Sequence, residues 1–236
     1  MYLYELHLHT METSRCGRSP AVEMVEAYAK AGYTGIVVTD HFVNGNSHAS
    51  TQKTWKEKMD ALLKGYKIAK ATGERLGIKV YLGWEFTYQG NSSEDYVTLG
   101  LDEDFLYNQA IDCDQWCIER YAKVVHDAGG ILVHVHPYRE AFYISKNTPV
   151  MREEICDAIE VYNGGNPRGT DYDEKALSYA QKFNYPMVAG SDTHHVTTTN
   201  IGCVGFDNDP KTYKELCEYI VMGKAHLIRN PKPASD

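Results

Sequence analysis

An α/β fold, with mainly parallel strands closed into a barrel, is what the sequence predicts, on three observations. Short β-branched or alternating segments recur at about 2–8, 35–39, 79–85, 96–101, 130–136, 158–162 and 186–191. Amphipathic helical stripes separate several of them, and such alternation needs crossover connections, hence a largely parallel sheet covered by helices. No glycine-rich phosphate fingerprint follows the first strand, where an open dinucleotide-binding sheet would carry one, which favours the closed arrangement.

The elements follow in order. Ser19 and Pro20 open the first helix as cap and first-turn proline, and Gly32 closes it. The β-branched run 35–39 is the second strand. Trp55, Met59, Leu62, Leu63 and Tyr66 repeat at i, i+4, i+7, i+8 and i+11, one face of a second helix. The third helix covers 114–128 and stops at Gly129 and Gly130. Cys117 falls on its apolar stripe with Tyr121, Val124, Val125 and Ala128, so it reads as core rather than as half of a zinc knuckle. Ala176, Leu177, Ala180 and Phe183 mark the fourth helix, and the last runs from Pro210 to about Met222, ending at Gly223.

The chain has 236 residues, 43% of them hydrophobic, enough for one substantial core, and one domain over 1–236 is expected. A formal net charge of −8 argues against binding duplex nucleic acid without sequence preference. Apolar runs such as 36–38 fall far short of the ~20 residues that span a bilayer, so no membrane partner is expected. The N-terminus has no basic region followed by an apolar stretch, and a cytoplasmic location is expected. The six cysteines are too scattered for a disulfide framework and are expected as free thiols.

Chemistry concentrates where apolar strands end. His7 and His9 close the first strand, Asp40 and His41 follow the second, Glu85 follows the third, His134 and His136 close the fifth, and Asp192 and His194 follow the last. In a parallel barrel every such end reaches one face, so residues remote in sequence converge on one pocket. Residues i and i+2 of a strand project to the same side, so His7 with His9, and His134 with His136, can each grip an ion. Mixed imidazole and carboxylate ligands suit zinc, manganese or iron better than magnesium.

The ordered series His7-Leu8-His9-Thr10, Thr39-Asp40-His41, Gly83-Trp84-Glu85, His136-Pro137-Tyr138-Arg139, Glu160-Val161-Tyr162-Asn163 and Gly190-Ser191-Asp192-Thr193-His194 resembles the polymerase and histidinol phosphatase (PHP) superfamily over nearly the whole chain. The resemblance implies a distorted TIM-like (β/α)7 barrel, a cluster of up to three divalent metals, with two expected here, and hydrolysis of a phosphate ester. It implies that His7, His9, Glu85 and Asp192 hold a first metal, that Glu85 bridges to a second taking His136, and that His41 and His194 face a third. It also implies two further histidines in three-metal members. Here the loop after the first strand offers Arg15, Cys16 and Arg18, and between Glu85 and the His-Pro motif the only histidine is His126, on a predicted helix.

The expected reaction is attack on a small phosphomonoester by a water activated between two cations, with Asp192 taking its proton and His194 or His41 protonating the departing alkoxide. Arg139 is the best-placed phosphate clamp, followed by Arg18 and Arg168, because a planar guanidinium meets two phosphate oxygens at once. Specificity would lie in loops such as 42–53, 88–95 and 138–150. The competing readings are a nuclease or proofreading-type phosphodiesterase and a noncatalytic, metal-stabilised docking domain.

Overall fold

The computed structural model describes residues 1–89, 93–141 and 155–231, so parts of the loops 88–95 and 138–150 lie outside the described residues. In chain order the elements are β1 (Tyr2–Glu5), α1 (Ala21–Lys30), β2 (Gly35–Val38), α2 (Trp55–Leu76), β3 (Lys79–Leu82), β4 (Trp84–Gln89), β5 (Ser93–Leu99), α3 (Ile118–Asp127), β6 (Ile131–Val135), β7 (Ala158–Asn163), α4 (Tyr172–Lys182), β8 (Met187–Gly190), β9 (Gly202–Phe206), α5 (Tyr213–Val221) and β10 (His226–Arg229).

The α/β class holds, but the ladders among the described residues form two mixed five-stranded sheets rather than a closed, mainly parallel (β/α)7 barrel. Their orders are β10-β9-β1-β2-β3 and β4-β5-β6-β7-β8. Pairs β1–β2, β2–β3, β6–β7 and β7–β8 are parallel, whereas β1–β9, β9–β10, β4–β5 and β5–β6 are antiparallel. Single parallel bridges, Leu8 to Thr193 and His41 to Glu85, link the two sheets.

The difference begins at Gly83. The segment expected as one strand over 79–85 breaks there, because the chain passes so close to its neighbours that a Cβ would sit 2.9 Å from Val37 Cγ1 and 3.0 Å from the Thr98 carbonyl oxygen. β3 stays beside β2, and β4 folds back on β5 from Trp84 opposite Thr98 to Gln89 opposite Ser93. An antiparallel pair closes over a short turn and needs no crossover helix.

Within β4 the two-residue period decides what reaches the site. Trp84 and Phe86 are buried in the larger apolar cluster with Phe42, Tyr96 and Tyr121, which leaves Glu85 on the opposite face. The Trp84 indole donates to the Tyr121 hydroxyl at 2.6 Å, and that hydroxyl also pairs with Thr98 Oγ1 at 2.7 Å. Leaving such a buried donor unpaired costs about 1–3 kcal/mol, so this network fixes the strand that carries Glu85.

The helices form where their stripes place them, with two corrections at their starts. Ser19 does not cap α1; its hydroxyl accepts from the Val196 amide, while the Glu12 carboxylate accepts from the Ala21 amide. Cys117 is exposed, because α3 begins only at Ile118 and leaves it at the cap position rather than on the buried stripe. Elsewhere Thr54 and Glu57 form a capping box on α2, and Thr212 caps α5. All six cysteines are free thiols, and no described helix is long and apolar enough to cross a membrane.

Candidate metal centre

His7 and His9 lie just beyond β1, where the backbone still runs extended. Leu8 is fully buried; its amide donates to Thr39 Oγ1 at 2.9 Å and its carbonyl accepts from the Thr39 amide at 3.0 Å. With Leu8 turned into the core, the alternation sends both imidazoles to the other side, with ring centroids 5.3 Å apart. His41 follows β2, Glu85 comes from β4, His136 follows β6, and Asp192 and His194 follow β8. His136 (φ 33°) and Asp192 (φ 48°) both sit in the left-handed region, a strain of about 1–3 kcal/mol each that is typical of functional positions.

These side chains meet around Glu85 and Asp192. Glu85 Oε1 lies 3.0 Å from His136 Nε2 and 3.8 Å from His7 Nε2, while Oε2 lies 2.7 Å from His41 Nδ1 and 3.5 Å from His9 Nε2. Asp192 Oδ1 is 3.2 Å from His9 Nε2 and 3.5 Å from His7 Nε2. Its other oxygen accepts from Arg139 Nη2 at 2.7 Å. His194 Nδ1 faces the Asp192 carbonyl at 2.9 Å, and its ring stacks on His9 at 4.4 Å.

The donor set fits divalent cations. His7 Nε2, His9 Nε2, His41 Nδ1 and Glu85 Oε2 are buried and have no hydrogen-bond partner, although buried polar atoms are almost always paired. The short His41–Glu85 approach is therefore not aligned as a hydrogen bond. Ligand atoms lie within 4.8 Å of one another in four overlapping groups: His9, His41 and His194; His7, His9 and Glu85; His7, His136 and Asp192; and Glu85, Asp95 and His136. Neutral imidazoles and ionised carboxylates at such spacing are what zinc, manganese or iron require.

Among themselves the carboxylates and most of the imidazoles pair charge with charge. Burial resists ionisation of Glu85, but His41, His136 and His7 outweigh it and hold the carboxyl well below its usual range. For Asp192 burial is likewise outweighed by His7 and Arg139. Burial opposes a charged His7, and the Asp192 and Glu160 carboxylates more than offset it, raising its pKa. His9, with less compensation, is pushed down to about 3 by burial and by His194 and His41, so its ring is neutral. Burial pushes the Cys16 thiol up, but His194 and His41 against it bring it down to about 7.

A second layer holds the ligands. His7 Nδ1 pairs with Glu160 Oε1 at 3.0 Å, and Glu160 Oε2 accepts from the His136 amide at 3.0 Å and from Asn163 Nδ2 at 2.7 Å. His9 Nδ1 faces Ser14 Oγ at 3.2 Å, and that hydroxyl donates to Asp40 Oδ1 at 2.6 Å. Asp40 also accepts from the Thr10 amide and hydroxyl, each at 2.7 Å. Glu5, fully buried, accepts from the His7 and Ser191 amides and from the Tyr28 hydroxyl, and burial lifts its carboxyl to about 7.

Of the sequence-predicted residues, His7, His9, His41, Glu85, His136, Asp192 and His194 come together, and Arg139 reaches them through Asp192. Arg139 also donates to Asn163 and Asn166, at 2.6 and 3.0 Å. Arg18 and Arg168 are exposed, and among the described residues neither guanidinium pairs with the cluster. Among the described residues His134 is in none of the groups of convergent ligand atoms. It stacks on Tyr96 at 4.8 Å, because the left-handed turn at His136 breaks the strand alternation that the pairing assumed. His126 pairs with Asp157 at 2.8 Å on α3, away from the centre. Asp95 was missed: its partner in the hairpin is Thr87, two residues past Glu85, which puts it on the Glu85 face. A carboxylate alternating with Tyr96 and sharing a face with Val97 was the available signal, but only the unforeseen hairpin gives it meaning.

A two-layered cluster of imidazoles and carboxylates carried by an α/β scaffold defines a metal-binding domain. The chain belongs to the PHP domain family, whose model matches residues 5–219. Its fold is similar to that of a two-domain protein from Bacteroides vulgatus containing a predicted PHP-like metal-dependent phosphoesterase, at 15% identity and a TM-score of 0.72, over 97% of this chain and 64% of that one. A candidate metal-dependent phosphoesterase from Bifidobacterium adolescentis is similar at 15% identity and a TM-score of 0.56, over 93% of this chain and 96% of that one. An Endonuclease Q, in complex with a 27-mer duplex carrying an abasic lesion at its active site, is similar at 9% identity and a TM-score of 0.55, over 96% of this chain and 57% of that one. This chain thus spans under two thirds of the length of the Bacteroides protein and of Endonuclease Q. Comparison with curated proteins gives no match.

Proposed function

We propose that this protein is a metal-dependent phosphoesterase acting on a small phosphomonoester, a phosphorylated metabolite or nucleotide. The observation that carries the reading is the convergence of four unpartnered buried atoms, on His7, His9, His41 and Glu85, beside the Asp192–Arg139 pair. His7, His9, Glu85 and Asp192 would hold one ion, and Glu85 with His136 a second. Bound divalent cations would neutralise charge on the phosphoryl oxygens and lower the pKa of water there toward neutrality.

The chain's own groups do the rest. Arg139 engages Asp192 Oδ2 while Oδ1 faces the histidines, and Asp192 would take the proton that water gives up only as its hold on the ion relaxes. Arg139 also brings positive charge to the rim, where phosphate would enter, and Arg18 and Arg168 are further contacts for it. A ligating imidazole has its lone pair committed, so His41 and His194 can protonate the departing alkoxide only where they hold no ion.

A panel of phosphate monoesters assayed with zinc, manganese and iron should give turnover that disappears in Asp192→Asn and on chelation. Turnover that persists in that variant would overturn the assignment. The likeness in fold to Endonuclease Q favours a second reading, hydrolysis of a nucleic-acid diester, against which the net charge of −8 weighs. Cleavage of a labelled strand without phosphate release from small esters would reverse the order. Stoichiometric metal binding with neither activity would point to a noncatalytic domain.

A further inference from the structure

Glu160 and Asn163 lie three residues apart on β7, a spacing that strand alternation sends to opposite faces. Both nevertheless reach the centre, because β7 carries an extra residue against β8: Glu160 pairs with Val188, and Tyr162, two residues on, pairs with the very next residue, Ala189. Such a bulge shifts the phase of a strand and re-aims the side chains beyond it. Val161 turns away into the apolar cluster with Ala176 and Ala180 of α4, and Asn163, 2% exposed, faces back onto Glu160.

The Asn163 carboxamide is engaged on both sides. Nδ2 donates to Glu160 Oε2 at 2.7 Å, and Oδ1 accepts from Arg139 Nη2 at 2.6 Å and from the Gly165 amide at 2.8 Å. Reversed, the group would set its NH2 against two donors and its carbonyl against a carboxylate, so the partners fix its orientation. Asp173 secures the frame: it accepts from the Asn163 backbone amide at 3.2 Å and from Asn166 Nδ2 at 2.8 Å, while Asn166 Oδ1 accepts from Arg139 Nε at 3.0 Å. The turn after β7 closes over the junction, where a Cβ on Gly165 would sit 2.7 Å from Asp192 Oδ2 and 3.2 Å from Arg139 Nη2.

A cation and an anion thus flank one neutral group. Arg139 holds Asp192, Glu160 holds His7, and opposite charges left facing each other across a buried gap would pair together instead. We propose that Asn163 is a positioning residue that keeps Arg139 and Glu160 apart, so that the guanidinium stays on Asp192 and the carboxylate stays on His7. This rests on the metal-dependent reading, in which His7 and Asp192 hold the same ion. Replacements of similar size cannot do both tasks: Asp would face Glu160 with like charge, and Leu can neither donate nor accept.

Zinc affinity measured by calorimetry tests it. Asn163→Ala should bind zinc about 10–100-fold more weakly than the unaltered protein, with circular dichroism unchanged. How that loss combines with a second change separates positioning from packing. Once Arg139→Gln is in place no guanidinium remains to move onto Glu160, so adding Asn163→Ala should cost less than about threefold, whereas a residue that only packs would cost the same factor in either background. In the unaltered protein, whatever the variants do, heteronuclear NMR should show an Asn163 Nδ2 proton exchanging with solvent at least about tenfold more slowly than exposed asparagine side chains, as a proton held on a buried carboxylate must. Unchanged affinity in Asn163→Ala, equal factors in the two backgrounds, or a freely exchanging Nδ2 would each overturn the role of Asn163. An unaltered protein that binds none of zinc, manganese and iron would instead overturn the metal-dependent reading itself.

Discussion

Glu160 Oε1 lies 3.0 Å from His7 Nδ1 with both side chains buried, so the carboxylate accepts the Nδ1 proton and leaves Nε2 free to face Glu85 and Asp192. The tautomer of a metal-binding histidine is set by just such a partner.

Glu160→Gln should therefore weaken metal binding about 10–100-fold while leaving the fold in place. Calorimetric zinc titration against the unaltered protein, with circular dichroism as a control, measures it. Equal affinities would remove Glu160 from the support of the centre.

Removing metal should lower thermal stability, and restoring it should raise the melting temperature in a concentration-dependent way. At a free ion concentration about 100 times Kd the gain is about 2.7 kcal/mol. Since imidazoles must shed protons to ligate, apparent affinity should also rise from pH 5.5 to 7.5, with proton release visible as a buffer-dependent binding heat. A melting temperature unmoved by zinc, manganese and iron would contradict the proposed centre.

Arg139→Gln leaves Asp192 Oδ2 without its cationic partner. Breaking a buried pair on one side costs about 3–5 kcal/mol, so the metal-free variant should lose about 3 kcal/mol in urea unfolding. The loss should shrink when zinc is present, because the ion then supplies the missing positive charge to the carboxylate. An undiminished loss would separate Arg139 from the metal cluster.

The His126–Asp157 pair ties α3 to the segment before β7, and Asp157 also accepts from the Leu132 amide at 2.8 Å. The hydrogen bond to Asp157 raises the His126 pKa, with burial opposing it. A histidine whose pKa is raised by folding contributes stability that is fully present below its unfolded value near 6.5 and is lost as pH climbs through the folded value. With His126 about one-third exposed, the contribution is under about 1 kcal/mol. Denaturation from pH 6 to 9 should show this fall in the unaltered protein and not in His126→Gln; parallel curves would deny the pair any linked contribution.

Much of the centre was legible because it depends on local rules. His7 and His9 alternate along an extended segment, and apolar runs mark where β2, β6 and β8 stop, so the residues just beyond them could be grouped. What stayed hidden depends on contacts between distant segments. Gly83 breaks a run that reads as continuous, and only the tertiary approach of Val37 and Thr98 shows why. The β4–β5 hairpin, which gives Asp95 its place, is a pairing rather than a composition. The glycine-bearing β9 and the short β10 lack a β-branched run and were not anticipated. The place of His134, open in the sequence between ligand and packing, turns on strand periodicity ending one residue before His136, at a backbone angle that residue type does not announce.

The His41–Glu85 bridge sits where the two sheets adjoin, with His7 and His9 arriving from the β1 side and Glu85, His136 and Asp192 from the other. An ion seated there would act as a rivet at the end of a seam whose interior is closed by apolar side chains of both sheets. Loading the protein would then slow amide exchange at the strand ends on both sides of the seam together. Chemistry and mechanical integrity would share the same few atoms, so a change that loosens the seam would also detune the reaction.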